Sequence, residues 1–168
     1  MKRNTILAAL GCGVLSYFVA AMPALADTTM TPSSHAAMVE RGSKEVMPFD
    51  LNQAMHIFEP TRDGGVQTVM VHDGNPQQIA LVRSHLRKEA VAFAHGDFSD
   101  PAKIHGTNMP GLAQLSAGAS RIDITYLQTT NGASIRYKTS DPQLIAALHT
   151  WFAAQVMDHG AHAMMMPH

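Results

Sequence analysis

Apolar and polar residues alternate from Ala54 to Thr61, with Met55 and Ile57 on one side and His56 and Phe58 on the other. A period of two predicts a strand. Asp63-Gly64-Gly65 marks a turn, and Val66 to His72, with Val69 and Val71 in phase, predicts the returning strand. Asp73-Gly74-Asn75 closes the hairpin. Asn75 then stands as a helix N-cap with Pro76 at the first helical position. From Pro76 to about His95 the apolar period lengthens to that of a helix: Ile79, Val82, Leu86, Ala90 and Phe93 form one stripe, and Arg83, Arg87 and Lys88 line the opposite, solvated side. Gly96 to Asn108 is irregular. Met109-Pro110-Gly111 opens a short helix through Leu115 that ends near Gly118.

A second hairpin follows. Ile122, Ile124 and Tyr126 alternate with Asp123 and Thr125, Asn131-Gly132 predicts a type I′ turn, and Ile135 and Tyr137 alternate on the return. Asp141 caps a last helix with Pro142 at its first position. Its expected core stripe is Ile145, Leu148, Phe152 and Val156, flanked by Trp151. The two halves read as a repeat. Pro76-Gln77-Gln78-Ile79-Ala80 answers Pro142-Gln143-Leu144-Ile145-Ala146, and each helix runs into a His-Gly pair, His95-Gly96 and His159-Gly160. The pattern predicts an α+β fold, a ββα–ββα pseudo-repeat whose four strands form one antiparallel sheet with two helices on one face.

The ends of the chain read differently. Lys2 and Arg3, the apolar run Ile6 to Ala21 and the Ala24-Leu25-Ala26 cleavage signature predict an export signal over 1–26, and hence a periplasmic protein. No later stretch is long and apolar enough to cross a bilayer. Residues 27–48 are rich in Thr, Ser and Ala without clear periodicity and read as a flexible arm. A single domain is expected over 49–160, and 161–168 as a His/Met-rich tail. Removing 26 of the 168 residues also removes Lys2, Arg3 and Cys12. The mature chain therefore has no thiol, and its 13 acidic residues outnumber the remaining bases, which argues against a nucleic-acid partner.

All 10 histidines follow residue 26, and they carry the candidate chemistry. The tail runs His159-Gly-Ala-His162-Ala-Met164-Met165-Met166-Pro-His168. Imidazole suits copper, zinc, nickel and iron, whereas thioether sulfur selects Cu(I). His95, His105 and Met109 form a second candidate set, with Asp97 or Asp100 available to orient an imidazole. Plainer roles stand beside these. His95 suits the negative end of a helix dipole, Met109 suits a core, and Met and His accumulate at chain ends. His56 lies within a strand. His85 and Glu89 form an i, i+4 pair on a helix flank. His149 and His159 border the last helix's apolar stripe, and His159 takes nearly the place that Phe93 holds in the first half, where an imidazole needs a polar partner or a metal.

The segments HIFEPTRDGGVQ, LVRSHLRKEAVAFAHGDFSDPAKIHGTNMPGL and LHTWFAAQVMDHG, within about Phe49 to Gly160, resemble a group of small exported bacterial proteins of unassigned biochemistry. Some members carry an automatic label of aspartate carbamoyltransferase. That label does not transfer. Transcarbamoylases are about twice as long and bind carbamoyl phosphate through a Ser-x-Arg-Thr motif that this chain lacks. The resemblance implies a domain and an exported location, and no activity. The tail after Gly160 lies outside it.

The functional expectation is a periplasmic copper-binding protein for sequestration, transfer or tolerance, with copper ahead of zinc. His95, His105 and Met109 would form one site. The segment from His159 to His168 (His159, His162, Met164, Met165, Met166, His168) would capture metal loosely, together with His35 and the methionines of the arm, and hand it to a periplasmic metal-transfer partner. Two other classes stay open: a small metal-dependent enzyme using His95, His105, Asp97 and Asp100 in a pocket, and an interaction module whose histidines sense pH.

Overall fold

The computed structural model describes residues 32–167, so the export signal, the start of the arm and His168 lie outside the described residues. The chain order is α1 (Pro32–Val46), β1 (Ala54–Thr61), β2 (Gly64–Val71), α2 (Pro76–Ala94), α3 (Ser99–His105), α4 (Leu112–Gly118), β3 (Asp123–Thr129), β4 (Gly132–Lys138), α5 (Pro142–His159) and β5 (Ala163–Met165). The class is α+β.

The two hairpins join through their second strands. β1 pairs antiparallel with β2 from Ala54↔Val71 to Thr61↔Gly64, β2 pairs antiparallel with β4, and β4 with β3. The sheet has five strands, in the order β3-β4-β2-β1-β5, and is mixed, because β5 runs parallel to β1. The expected four-stranded antiparallel sheet is corrected on both counts. The segment read as a free tail supplies the fifth strand. Gly160, with φ +53, turns the chain at the end of α5, and a parallel partner for β1 needs such a crossover.

Both helix caps form as the sequence predicts. The Asn75 side chain accepts from Gln77 N–H and Gln78 N–H, and the Asp141 side chain accepts from Gln143 N–H. α2 and α5 meet over one face of the sheet, where Phe93 and Trp151 both pack against Tyr137 and Phe152 packs against Phe58. On α2 the buried positions Val82, Leu86, Ala90 and Phe93 follow the expected stripe, joined by Glu89. On α5 the buried face is rotated. Leu144, Leu148, Trp151, Phe152, Gln155 and His159 face inward, while Ile145 and Val156 lie at its margin. Trp151 is central rather than flanking, because α5 is covered by α4 as well as by the sheet.

The basic side of α2 is more than a solvated face. The Arg83 guanidinium donates to the carbonyls of Thr129 (2.6 Å) and Gly132 (3.1 Å), clamping the β3–β4 turn, and Arg87 stacks over the Tyr126 ring.

The described part of the expected arm is a helix. α1 lies against α3 with Val39, Gly42 and Ser43 buried. A Cβ at Gly42 would stand 2.6 Å from the Ile104 Cα, so the two backbones approach as only glycine permits. The irregular stretch contains α3, in which Asp100 and Pro101 sit in the first turn, where proline costs no hydrogen bond.

Candidate functional site

Asp158, near the C-terminus of α5, organises the site. Its Oδ2 accepts from His105 Nδ1–H at 2.8 Å, and its Oδ1 accepts from His35 Nε2–H at 2.9 Å. One carboxylate thus ties α1, α3 and α5 together. A surface cavity of about 540 Å³ opens beside it. Its wall includes His35 and Met38 from α1, His105 and Met109, and Met157 beside Asp158. Met109 is buried, Met38 is half-buried, and Met157 is 82% exposed.

Behind this cavity the imidazoles form a buried row. The rings of His105 and His159 are 4.9 Å apart edge to face, as are those of His159 and His56. Phe49 packs against His56 and against His85. His105 and His56 are each 4% exposed and His159 is 7% exposed. Burial disfavours a second proton on each ring. It pushes His56 well below the usual imidazole range, with the neighbouring histidines adding to the effect, and lowers His159 to about 4. For His105 burial outweighs the Asp158 hydrogen bond, so its pKa is lowered as well. The row is neutral at pH 7.

A second polar group lies under α2. Burial lowers His85 to about 4, and burial with a hydrogen bond to Asp100 raises Glu89 to about 8. Burial works to raise Asp100 too, but hydrogen bonds from Lys88 (2.6 Å) and Glu89 outweigh it and hold its carboxyl below the usual range. Glu89 therefore carries the proton of the pair at neutral pH.

The sequence-predicted residues fall in different places. His105 and Met109 share the cavity beside Asp158. His95 is exposed, is not among the residues lining that cavity, and donates from Nδ1 to its own helix at the Val91 carbonyl, 2.8 Å away. His159 sits in the buried row. His162 lines a neighbouring cavity of about 600 Å³ with His159, Asp158, Asp50 and Phe49. The three tail methionines diverge because a strand alternates its faces. Met165 pairs with Phe58 on the core side, whereas Met164 pairs with Ile57 on the other, and Met164 and Met166 are exposed. His168 lies outside the described residues. His149 donates to the carbonyl of Gly64 at 2.8 Å, fastening α5 to the β1–β2 turn.

Sequence reasoning missed Asp158, Met157 and Gln155. Only Gln155 had a signal, since it is the repeat counterpart of Glu89. Among the described residues, no group of three or more His, Cys, Asp or Glu side chains is arranged to hold a metal ion. A metal reading therefore depends on thioether sulfur as well as imidazole. Among the described residues no helix is long and apolar enough to cross a membrane. No protein-family model, curated protein or solved structure matches the chain.

Proposed function

We propose that the protein binds copper, as Cu(I) through methionine and histidine, in an exported compartment, where it sequesters the metal or passes it on. The observation that carries this reading is the single cavity walled by His35, Met38, His105, Met109 and Met157. His105 gives its Nδ1 proton to Asp158 and turns Nε2 inward, so the donor set at the cavity is the His35 imidazole with three thioethers, a soft and borderline set that favours Cu(I) over zinc or magnesium. Asp158 supplies the orienting carboxylate that the His35 imidazole needs, and His105 holds that carboxylate in place. Met157, exposed at the mouth, is placed for entry and transfer. Of the two sets expected from sequence, this cavity retains His105 and Met109. It takes His35 and Met38 from the segment assigned to loose capture, and leaves His95 out.

The enzyme reading has less support. Asp158 and His105 resemble a general-base pair, but Asp158 holds the Nδ1 side that faces the open cavity. Nε2 of His105 is buried and has no hydrogen-bond partner, and on its inner side the ring borders a chamber of only about 30 Å³.

The test is a Cu(I) titration of the mature chain under anaerobic conditions against a chromogenic chelator. The wild type takes up one equivalent in competition, and the double variant Met38→Leu/Met157→Leu weakens that uptake at least tenfold. Uptake no tighter than that of a free peptide of residues 159–168 removes the reading.

A further inference from the structure

The repeat converges on a small chamber between α2 and α5. α2 and α5 each supply an i, i+4 pair to the space between them: His85 and Glu89 from the first, Trp151 and Gln155 from the second, at matched positions 66 residues apart, like Pro76 and Pro142. These four line a cavity of about 30 Å³ together with Gln67, Asp100 and His105. Seven buried side-chain nitrogen or oxygen atoms among the described residues lack a hydrogen-bond partner. Four of them belong to this wall: Glu89 Oε1, His105 Nε2, Trp151 Nε1 and Gln155 Nε2. Buried polar atoms of native proteins are rarely left unpaired, and four of them on residues lining one small space are satisfied together by a single shared partner.

Their chemistry says what kind. Trp151 Nε1–H and Gln155 Nε2–H only donate. His105 spends its Nδ1 proton on Asp158, so its neutral ring offers a lone pair at Nε2. Glu89 bonds Asp100 with its other oxygen and offers Oε1 as an acceptor. A cation would meet two N–H donors, and an anion would meet two lone pairs. A neutral molecule that accepts twice and donates twice satisfies all four. A chamber of about 30 Å³ has room for a water, which needs roughly 10–15 Å³ of such space.

We propose that this chamber binds one water molecule, held jointly by Glu89, His105, Trp151 and Gln155. The water fixes the tautomer of His105, which donates to Asp158, which in turn accepts from His35. A continuous hydrogen-bonded line then runs from the interface of α2 and α5 to the wall of the outer cavity. Glu89 and Gln155 act there as positioning residues, a consequence that rests on the copper reading, whereas the water itself does not.

The experiment is a high-resolution crystal structure of the metal-free mature chain, paired with a count of long-lived internal waters by magnetic relaxation dispersion. A water within hydrogen-bonding distance of the four atoms is expected. The Glu89→Leu/Gln155→Leu variant, which fills the chamber with methyl groups, should lose one long-lived water and bind Cu(I) several-fold more weakly. A chamber without density, or one holding an ion, overturns the proposal, as does an unchanged water count in the folded variant. If that variant does not fold, the wild-type density decides. If the wild type binds no copper yet holds the water, only the copper reading fails.

Discussion

The two hairpin–helix halves carry the same ending, His-Gly, and use it in opposite ways. His95 follows α2 as its C-cap and stands in solvent, bonded to its own helix at Val91. His159 is the last residue of α5 and lies in the buried row between His56 and His105. Counted from the shared prolines, His159 matches Phe93, whereas His95 lies two positions further round the helix, about 200° away. A shift of two residues turned a surface cap into a core imidazole. Local similarity of sequence thus says little about role until the register against the helix face is fixed.

The comparison breaks most visibly at the matched pair Trp151 and His85. Trp151 is wholly buried among Phe93, Phe98, Tyr137 and Phe152, whereas His85 touches Phe49 at the margin of α2. Trp151→Ala should cost about 3–5 kcal/mol in urea unfolding, and His85→Ala less than about 2 kcal/mol.

A smaller effect separates the halves by pH. His56, His85, His105 and His159 all have lowered pKa values in the folded protein. The unfolded chain therefore takes up protons below about 6.5 that the folded chain refuses. Stability is full above that pH and falls toward pH 4. Glu89, raised from 4.5 to about 8, acts in the opposite sense, since its contribution is present at low pH and is lost as pH rises through 8. Several histidines outweigh one carboxyl, so stability climbs from pH 4 to about 6.5 and then declines until about pH 8. His159→Phe, which restores the first-half residue, should flatten the acid limb by roughly 1.4 kcal/mol per pH unit. Denaturation midpoints measured across pH 4–8 check this. The smallest effect belongs to His95→Ala, within about 0.5 kcal/mol of wild type and without influence on copper uptake.

The strands of both hairpins, the Asx-Pro caps and the α2 stripe were legible because each is a local pattern complete within a few residues, whereas the β3–β4 turn is not the expected type I′, since neither Asn131 nor Gly132 has a positive φ. α1 was not, since its packing depends on Gly42 meeting Ile104 rather than on a dense apolar stripe. β5 escaped because the three residues Ala163 to Met165 are too few to show a strand period, and only the parallel partner β1 defines them as a strand. The site was half visible. His105 and Met109 stood out by residue type, but Asp158 reads as an ordinary helix residue until α1 and α3 bring two imidazoles to it. His35 and Met38 belong by composition to a loose arm, but α1 makes them one wall of the cavity.

The central claim is that the His35 imidazole and the thioethers of Met38, Met109 and Met157 meet at one copper ion. X-ray absorption at the copper edge of the Cu(I)-loaded mature chain tests it most directly. The account predicts a mixed sulfur and imidazole shell that loses sulfur in Met38→Leu/Met157→Leu and keeps it when Met164, Met165 and Met166 are replaced by Leu. A shell of nitrogen and oxygen alone, or sulfur that disappears only with the strand methionines, would contradict it.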